Sequence, residues 1–227
     1  KAESAYFHLI HNVQYGMVEK AQGLLEQALE HYKNLLRFAE EHRLAHTGLA
    51  GVILSEIGDI LIEQHQLERG MEHILQGVDL SEKAGSSNIR WWTYNILTKA
   101  YLYQGDYTRA QGVVNDTVAW LSHNQMASWY MRITQARQGQ VFLVSGDLER
   151  AVQWVEQQGL QPEDDVSHVR ELQHIVYTRI LMTQHRYDEA LALLDRLLVM
   201  TEADTRFGSA IELHLIKAML FHHQKRN

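Results

Sequence analysis

The stretch "QGDYTRA", residues 104–110, decides the fold. It stands between two long segments whose apolar residues recur at helical spacing. Gly105 can take the left-handed conformation that closes a helix, and Asp106 can cap the helix that follows. The stretch therefore predicts the turn of a helical hairpin.

The same pattern returns along the chain, as "QHQLERG" at 64–70, "SGDLERA" at 145–151 and "QHRYDEA" at 184–190. Aligned copies end on a small residue, and these residues are Ala28, Gly70, Ala110, Ala151 and Ala190. A second slim residue lies upstream of each, namely Gly16, Gly58, Thr98, Gly139 and Thr178. Slim residues on both sides of a turn let antiparallel helices cross closely. We predict an all-α fold, a right-handed superhelix of about five helical hairpins plus a terminal helix.

Other turn signals agree with this repeat. His65 and His185 replace the turn glycine in two copies, and histidine tolerates left-handed geometry better than most residues that carry a Cβ. We interpret both as turn residues. Between two repeats, "GSSNIRWW" at 85–92 predicts that Gly85 ends one helix and that Ser86, Ser87 or Asn88 caps the next.

Composition narrows the class of protein. The 227 residues are 45% hydrophobic with one proline and a net charge of -7, which suits a helical chain with a substantial core. The absence of cysteine excludes disulfides and thiolate metal sites and suits a reducing cytoplasm. The apolar runs are too short for a bilayer span, so we expect a cytoplasmic protein without a membrane partner. The acidic balance argues against binding of nucleic acid.

Several segments, among them "YNILTKAYLYQGDYTRAQGVV" and "GQVFLVSGDLERAVQWVEQQGL", resemble in their order the tetratricopeptide-like superhelical region of MalT-type ATP-dependent regulators of the LuxR family. The resemblance covers nearly the whole chain. It implies a single superhelical domain over 1–227, a fragment of a longer bacterial transcriptional activator. Its expected partners are a small-molecule or peptide effector, other modules of the same regulator, and a second copy of the chain.

The same resemblance implies a nucleotide-binding module before this region and a helix-turn-helix module after it. The chain itself has no "GxxxxGK[ST]" loop and no basic recognition helix. We therefore expect no cofactor here, ATP belonging only to the N-terminal module, and no direct contact with nucleic acid.

A column of polar residues suggests where an effector binds. The residue after the upstream slim position is polar in four of the five repeats, and Lys217 holds the matching place in the last helix. The column comprises Asp59, Lys99, Gln140, Arg179 and Lys217. Trp92 and Asn95 precede Lys99 on the same flank of its helix. We predict an effector site on the concave face, made of these seven residues, for an anionic or polyhydroxylated ligand. We expect Lys99 and Arg179 to be exposed. The alternative is a solvated inner face with Lys and Arg stems covering apolar surface.

Other conspicuous residues have structural explanations. We assign to packing the aromatic residues Trp91, Trp120, Trp129, Trp154, Tyr32, Tyr101 and Tyr107. The pairs His42 with His46 and His222 with His223 lack the third ligand that zinc needs, so we predict no metal site. Asp164 and Asp165 follow Pro162 in a polar loop, and no catalytic triad is evident.

Two functions are compatible with these features. The first is a regulatory domain that senses an effector and contacts protein partners. The second is a constitutive scaffold that binds a peptide or helix of a protein partner. We expect no enzyme, because catalysis needs a deep pocket with strongly perturbed titratable groups.

Overall fold

The computed structural model describes residues 2–124 and 126–224, and over these residues the chain is all-α. They form eleven α-helices and one short 3-10 helix without a strand, which confirms the predicted fold class. The elements are α1 (Ala2–Ala21), α2 (Leu25–Glu41), α3 (Gly48–Glu63), α4 (Leu67–Ala84), α5 (Ser87–Gln104), α6 (Tyr107–His123), α7 (Ser128–Val144), α8 (Leu148–Gln158), the 3-10 helix (His168–Arg170), α9 (Glu171–Thr183), α10 (Tyr187–Ala203) and α11 (Phe207–Gln224).

The helices follow one another in the order of the predicted hairpins, with partner helices in contact in α1 and α2, α3 and α4, α7 and α8, and α9 and α10; α11 follows them. The chain divides into two compact units, Lys1–Thr117 and Val118–Asn227, with the boundary inside α6. Each unit has its own apolar core. The first core centres on fully buried side chains such as Tyr32 and Ile53, and the second on side chains such as Trp154 and Leu193.

The glycine turns have the predicted geometry. Gly105 and Gly146 have φ angles of 73° and 80°, in the left-handed region. The side chains of Asp106 and Asp147 each accept a hydrogen bond from the backbone N–H three residues later, at 2.9 and 3.1 Å. These bonds satisfy donors that the start of a helix leaves without a partner. Each Gly-Asp pair therefore ends one helix and begins the next.

Residues other than glycine adopt the same turn. His65 and His185 have φ angles of 62° and 60°, which confirms their interpretation as turn residues. Arg43 and Thr205 are left-handed as well, and the sequence did not reveal them. Gly85 ends α4 as predicted, with φ of 66°. The histidines show that the repeat tolerates a residue with a side chain at a turn position where glycine is sufficient.

The slim residues let α3 and α4 touch through their backbones. A Cβ atom added to Gly58 would lie 2.5 Å from the carbonyl oxygen of Gly70, and one added to Gly70 would lie 2.6 Å from that of Gly58. Gly51 and Gly77 make a second crossing point of the same kind, at 2.6 and 2.4 Å. The prediction of a close crossing at the pair twelve residues apart is confirmed here.

Two other slim residues make room for aromatic rings. A Cβ atom on Gly16 would lie 2.6 Å from Cζ of Tyr32, and one on Gly139 would lie 2.5 Å from Cδ2 of Trp154. In each case the ring comes from the second helix of the hairpin whose first helix carries the glycine, and it is fully buried. The slim position therefore serves close packing in two ways, by backbone contact or by accepting a ring.

The packing assigned to the aromatic residues is confirmed for four of the seven, and Trp120 and Trp129 are partly buried. Tyr32, Tyr101, Trp91 and Trp154 are buried. Tyr107 was assigned wrongly, because its side chain is 37% exposed. It is the first residue of α6, at the exposed start of that helix.

Substitutions at two glycines test the close crossing. Gly58→Ala should destabilise the chain by about 1 to 3 kcal/mol, because its methyl group meets the backbone of α4. Gly112→Ala is the matched control, since a Cβ atom there meets nothing within 4 Å. It should stabilise helix α6 by about 0.5 to 1 kcal/mol. Urea unfolding followed by circular dichroism measures both changes, and equal effects of the two variants would contradict the crossing.

The core of the second unit contains a buried histidine. His174 in α9 is fully buried, and neither ring nitrogen has a hydrogen-bond partner among the described residues. Burial, together with the positive charge of Arg170, lowers the pKa of His174 to about 4; the carboxylate of Asp164 opposes this shift. His174 is therefore neutral in the folded protein at pH 7.

This histidine predicts a pH dependence of stability. In the unfolded chain the pKa is close to 6.5, so between about pH 6.5 and pH 4 only the unfolded state takes up the proton. The free energy of unfolding should therefore fall as the pH falls through that window. Between pH 7.5 and pH 5, His174→Leu should remove about 2 kcal/mol of this loss in urea titrations. The exposed-site variant His123→Leu should keep it. An unchanged slope in His174→Leu would contradict the account.

Candidate functional site

Five charged side chains meet where helices α1, α3 and α5 of the first unit lie side by side. Lys99 Nζ lies 2.8 Å from Oδ1 of Asp59 and 2.7 Å from Oε1 of Glu63. Lys20 Nζ lies 2.9 Å from Oδ2 of Asp59 and also binds Glu56. We call these five residues the charged cluster.

Helical spacing on α3 explains the position of the acidic residues. Glu56, Asp59 and Glu63 are three and four residues apart, so their side chains form one stripe along a helix that is otherwise apolar. Glu56 and Asp59 are almost fully buried, while the side chains of Lys20 and Lys99 are 20% and 19% exposed. The lysines thus connect buried carboxylates with the surface.

The cluster fixes the charge of its members. Burial alone would raise the pKa of Asp59, but Lys20 and Lys99 outweigh it and hold that pKa well below its ordinary value. Burial alone would lower the pKa of both lysines, but the carboxylates outweigh it and raise the pKa of each. All three groups are therefore ionised at neutral pH, and each requires its partners.

Aromatic side chains border the cluster. Trp92 donates a hydrogen bond from Nε1 to Oε1 of Glu56, at 2.7 Å. The Tyr103 ring lies 5.7 Å from Lys99 Nζ, measured to the ring centroid, and the side chain is exposed. Asn95 is partly buried and interacts with another residue of the chain. The structure thus brings Asp59, Lys99 and Trp92 into one network.

The expected exposure of these residues was wrong. Asp59 is buried, Lys99 is mostly buried, and Arg179 is half-buried. The physical reason for Lys99 is that its carboxylate partners lie on α3, about 40 residues earlier, where the repeat pattern alone does not pair them. Lys99 therefore acts first as a counterion within the fold.

The three predicted residues of the second unit also have partners. Gln140 accepts a hydrogen bond from Arg137 at 2.8 Å, within α7. Arg179 of α9 donates from Nη2 to Oε1 of Glu212 on α11, at 2.9 Å. Lys217 of α11 binds Asp195 of α10 at 2.7 Å. Lys217 thus contacts the second helix of a hairpin. Lys99 contacts the first helix of the preceding hairpin, and Arg179 contacts the terminal helix α11.

Arg179 lies at a pocket of about 420 Å³ in the second unit, which we call the Arg179 pocket. Side chains from α7, α9, α10, α11 and the turn between α9 and α10 line it. They are Leu143, Val144, Arg179, Met182, Thr183, His185, Tyr187, Ile216, Met219 and His223. The pocket is in the size range of small-molecule sites.

The remaining sequence features do not add a site within the described parts of the chain. Over residues 2–124 and 126–224, no group of three metal-ligating side chains could hold a metal ion. None of the helices described there is long and apolar enough to cross a membrane. Asp164 has a structural role, because its side chain accepts the backbone N–H of Gln161 at 3.2 Å.

One protein-family model matches the chain along its whole length. The model described as the MalT-like TPR region matches residues 1–227, the whole chain. The chain belongs to the MalT-like TPR region family. No curated protein matches it.

Solved structures support the fold of this MalT-like TPR region. A putative kinesin light chain of Podosopora anserina with nearly identical TPR-like repeats is 17% identical, with a TM-score of 0.60, covering 87% of this chain and 96% of the other. BtubC (BKLC) from P. vanneervenii is 20% identical, with a TM-score of 0.55, covering 69% of this chain and 66% of BtubC. The fold is thus of the TPR repeat type. TPR repeats generally mediate protein interactions, and such scaffolds are typically not catalytic.

Several residues of this MalT-like TPR region were not predicted from the sequence. Lys20, Glu56 and Glu63 complete the charged cluster. The sequence does carry a signal for Glu56 and Glu63. Burial of acidic residues in an apolar helix costs free energy unless they have partners, and these two lie three and four residues from Asp59. The pocket residues Met219 and His223 had no such signal, because their role depends on how α11 packs.

The charged cluster predicts that Lys99 is needed for stability. Lys99→Met should lower the free energy of unfolding by on the order of 2 kcal/mol. Breaking a buried ion pair completely costs about 3 to 5 kcal/mol, but here Lys20 still neutralises Asp59. Lys83→Met is the control. Lys83 pairs with Asp79 in solvent, and such pairs contribute about 0.3 to 0.5 kcal/mol. Urea unfolding at pH 7 measures both, and a Lys99 variant as stable as the control would contradict this role.

Proposed function

We propose that the chain is the effector-sensing and protein-interaction region of a bacterial MalT-like transcriptional activator of the LuxR family. The observation that carries the proposal is the match of the MalT-like TPR region model to residues 1–227. We place the proposed effector site in the first unit, at Asp59, Trp92, Asn95 and Lys99. The other three predicted residues, Gln140, Arg179 and Lys217, belong to the second unit and are not assigned to this site.

The charged cluster supports a sensing role for the first unit and narrows its ligand. Three carboxylates surround two lysines, so the net charge of the cluster is negative. An anionic ligand would meet repulsion there. A polyhydroxylated ligand can donate to the carboxylates and accept from Lys20 or Lys99 at the surface, with the Tyr103 ring as a flat neighbour.

The same cluster offers a way to transmit binding. Lys99 on α5 has two carboxylate partners on α3, and Lys20 joins α1 to the same helix. A ligand that replaces one of these partners changes the electrostatic energy that joins two neighbouring hairpins. An effector switches such a system only if it binds one arrangement more tightly than the other.

A constitutive scaffold is the second candidate, and α11 favours it. Apolar side chains stand four residues apart along one face of this helix, and half or more of each is exposed: Phe207, Ile211, Leu215 and Met219. An exposed stripe of this spacing suits an amphipathic helix of a protein partner. A scaffold of this kind requires no small-molecule effector.

Deletion of the gene that encodes the chain tests the proposal. The activator predicts that transcripts of specific genes fall in the deletion strain and that complementation restores them. Complementation with the Lys99→Met variant should restore them only in part, whereas Lys83→Met should restore them fully. Unchanged transcripts across growth conditions, together with a folded partner protein that co-purifies with the chain, would contradict the activator and favour the scaffold.

A further inference from the structure

The Arg179 pocket joins an apolar wall to polar side chains. The apolar residues come from three helices and are Leu143, Val144, Met182, Ile216 and Met219. The polar ones are Arg179, Thr183, His185, Tyr187 and His223. Apolar area supplies most of the affinity in such a pocket, and a few polar groups fix the orientation of the ligand.

Arg179 is the one permanently charged side chain among the described residues that line the pocket, and Glu212 beside it balances part of that charge. The Arg179 guanidinium is always ionised, and the described residues that line the pocket include no carboxylate. Glu212 takes a hydrogen bond from Nη2 of Arg179 at 2.9 Å. A guanidinium has five N–H donors, so this bond leaves capacity for a second anionic group. The pocket therefore favours a ligand with one negative charge.

His185 adds a positioned polar group. At the equivalent turns Gly105 and Gly146 suffice, so the turn does not require a ring at this position. The His185 ring is held by its Nδ1 atom, which lies 2.7 Å from the hydroxyl oxygen of Tyr187, and both side chains line the pocket.

We propose that the Arg179 pocket binds a small organic anion with an apolar body, of the class of monocarboxylates. Arg179 holds the anionic group, and the aliphatic and methionine side chains cover the apolar body. That the pocket is an effector site rests on the proposed sensing function. That it binds such an anion rests on the lining of the pocket alone.

Isothermal titration calorimetry of the chain with octanoate tests this class of ligand. Octanoate should bind at one site per chain. Octan-1-ol, which lacks the charge, should bind at least tenfold more weakly, and acetate, which lacks the apolar body, should give no measurable heat. Equal binding of octanol and octanoate, or the absence of octanoate binding, would overturn the proposal.

Variants locate the binding. Arg179→Met should weaken octanoate binding at least tenfold, whereas Arg150→Met, which breaks the ion pair with Asp147 in the same unit and does not line the pocket, should leave it unchanged. Met219 is more than half exposed, so its replacement preserves the fold. Met219→Glu should weaken binding by repulsion, and Met219→Lys should retain or strengthen it. Equal affinity of Met219→Glu and Met219→Lys would overturn the proposal.

Failure of this inference can be told apart from failure of the proposed function. The titrations report binding to the isolated chain, and the deletion strain reports transcription. A chain that regulates transcription without binding octanoate disproves only the ligand class. A chain that binds octanoate without any effect on transcription disproves only the regulatory role.

Discussion

The ion pairs of Asp59 constrain how the hairpins of the first unit are arranged. Its carboxylate is buried in α3 and binds Lys20 of α1 and Lys99 of α5. An isolated carboxylate at that depth would cost several kcal/mol, so both lysines must be brought to it. Three first helices of successive hairpins are joined by one side chain. Apolar packing holds the hairpins together, and this cluster restricts how they can be arranged.

Backbone contact makes such a cluster feasible. The crossing of α3 and α4 at Gly58 and Gly70 brings the two helices so close that α3 is buried along nearly its whole length. The carboxylates of Glu56 and Asp59 on α3 are therefore removed from water, and their stripe needs counterions from both neighbouring hairpins. The slim residues of the repeat and the charged cluster are thus linked through the burial of one helix.

The sequence predicted those features that local chemistry controls. The turn phrase predicted where one helix ends and the next begins, because Gly105, Asp106 and their equivalents act within one turn of the chain. It did not predict that Arg43 and Thr205 close helices in the same way, because neither residue type favours that geometry. The fold class was still predictable, because the other copies of the turn repeat at a nearly fixed spacing.

The candidate site was predictable only in part, because its partners are distant in sequence. The polar column correctly drew attention to Asp59, Lys99 and Arg179, but their counterions lie on other helices. The assumption of solvent exposure failed for that reason. The pocket beside Arg179 depends on the packing of four helices, and no single segment carries its pattern. Local rules identified the residues, whereas tertiary packing decided their environment.

A double-mutant cycle between Asp59→Asn and Lys99→Met tests most directly whether the charged cluster acts as one unit. The free energy of unfolding is measured by urea titration for the parent chain, both single variants and the double variant. Coupling in the cluster predicts that the double variant loses less stability than the sum of the single variants, by about 1 to 3 kcal/mol. Losses that add to within about 0.3 to 0.5 kcal/mol would contradict it.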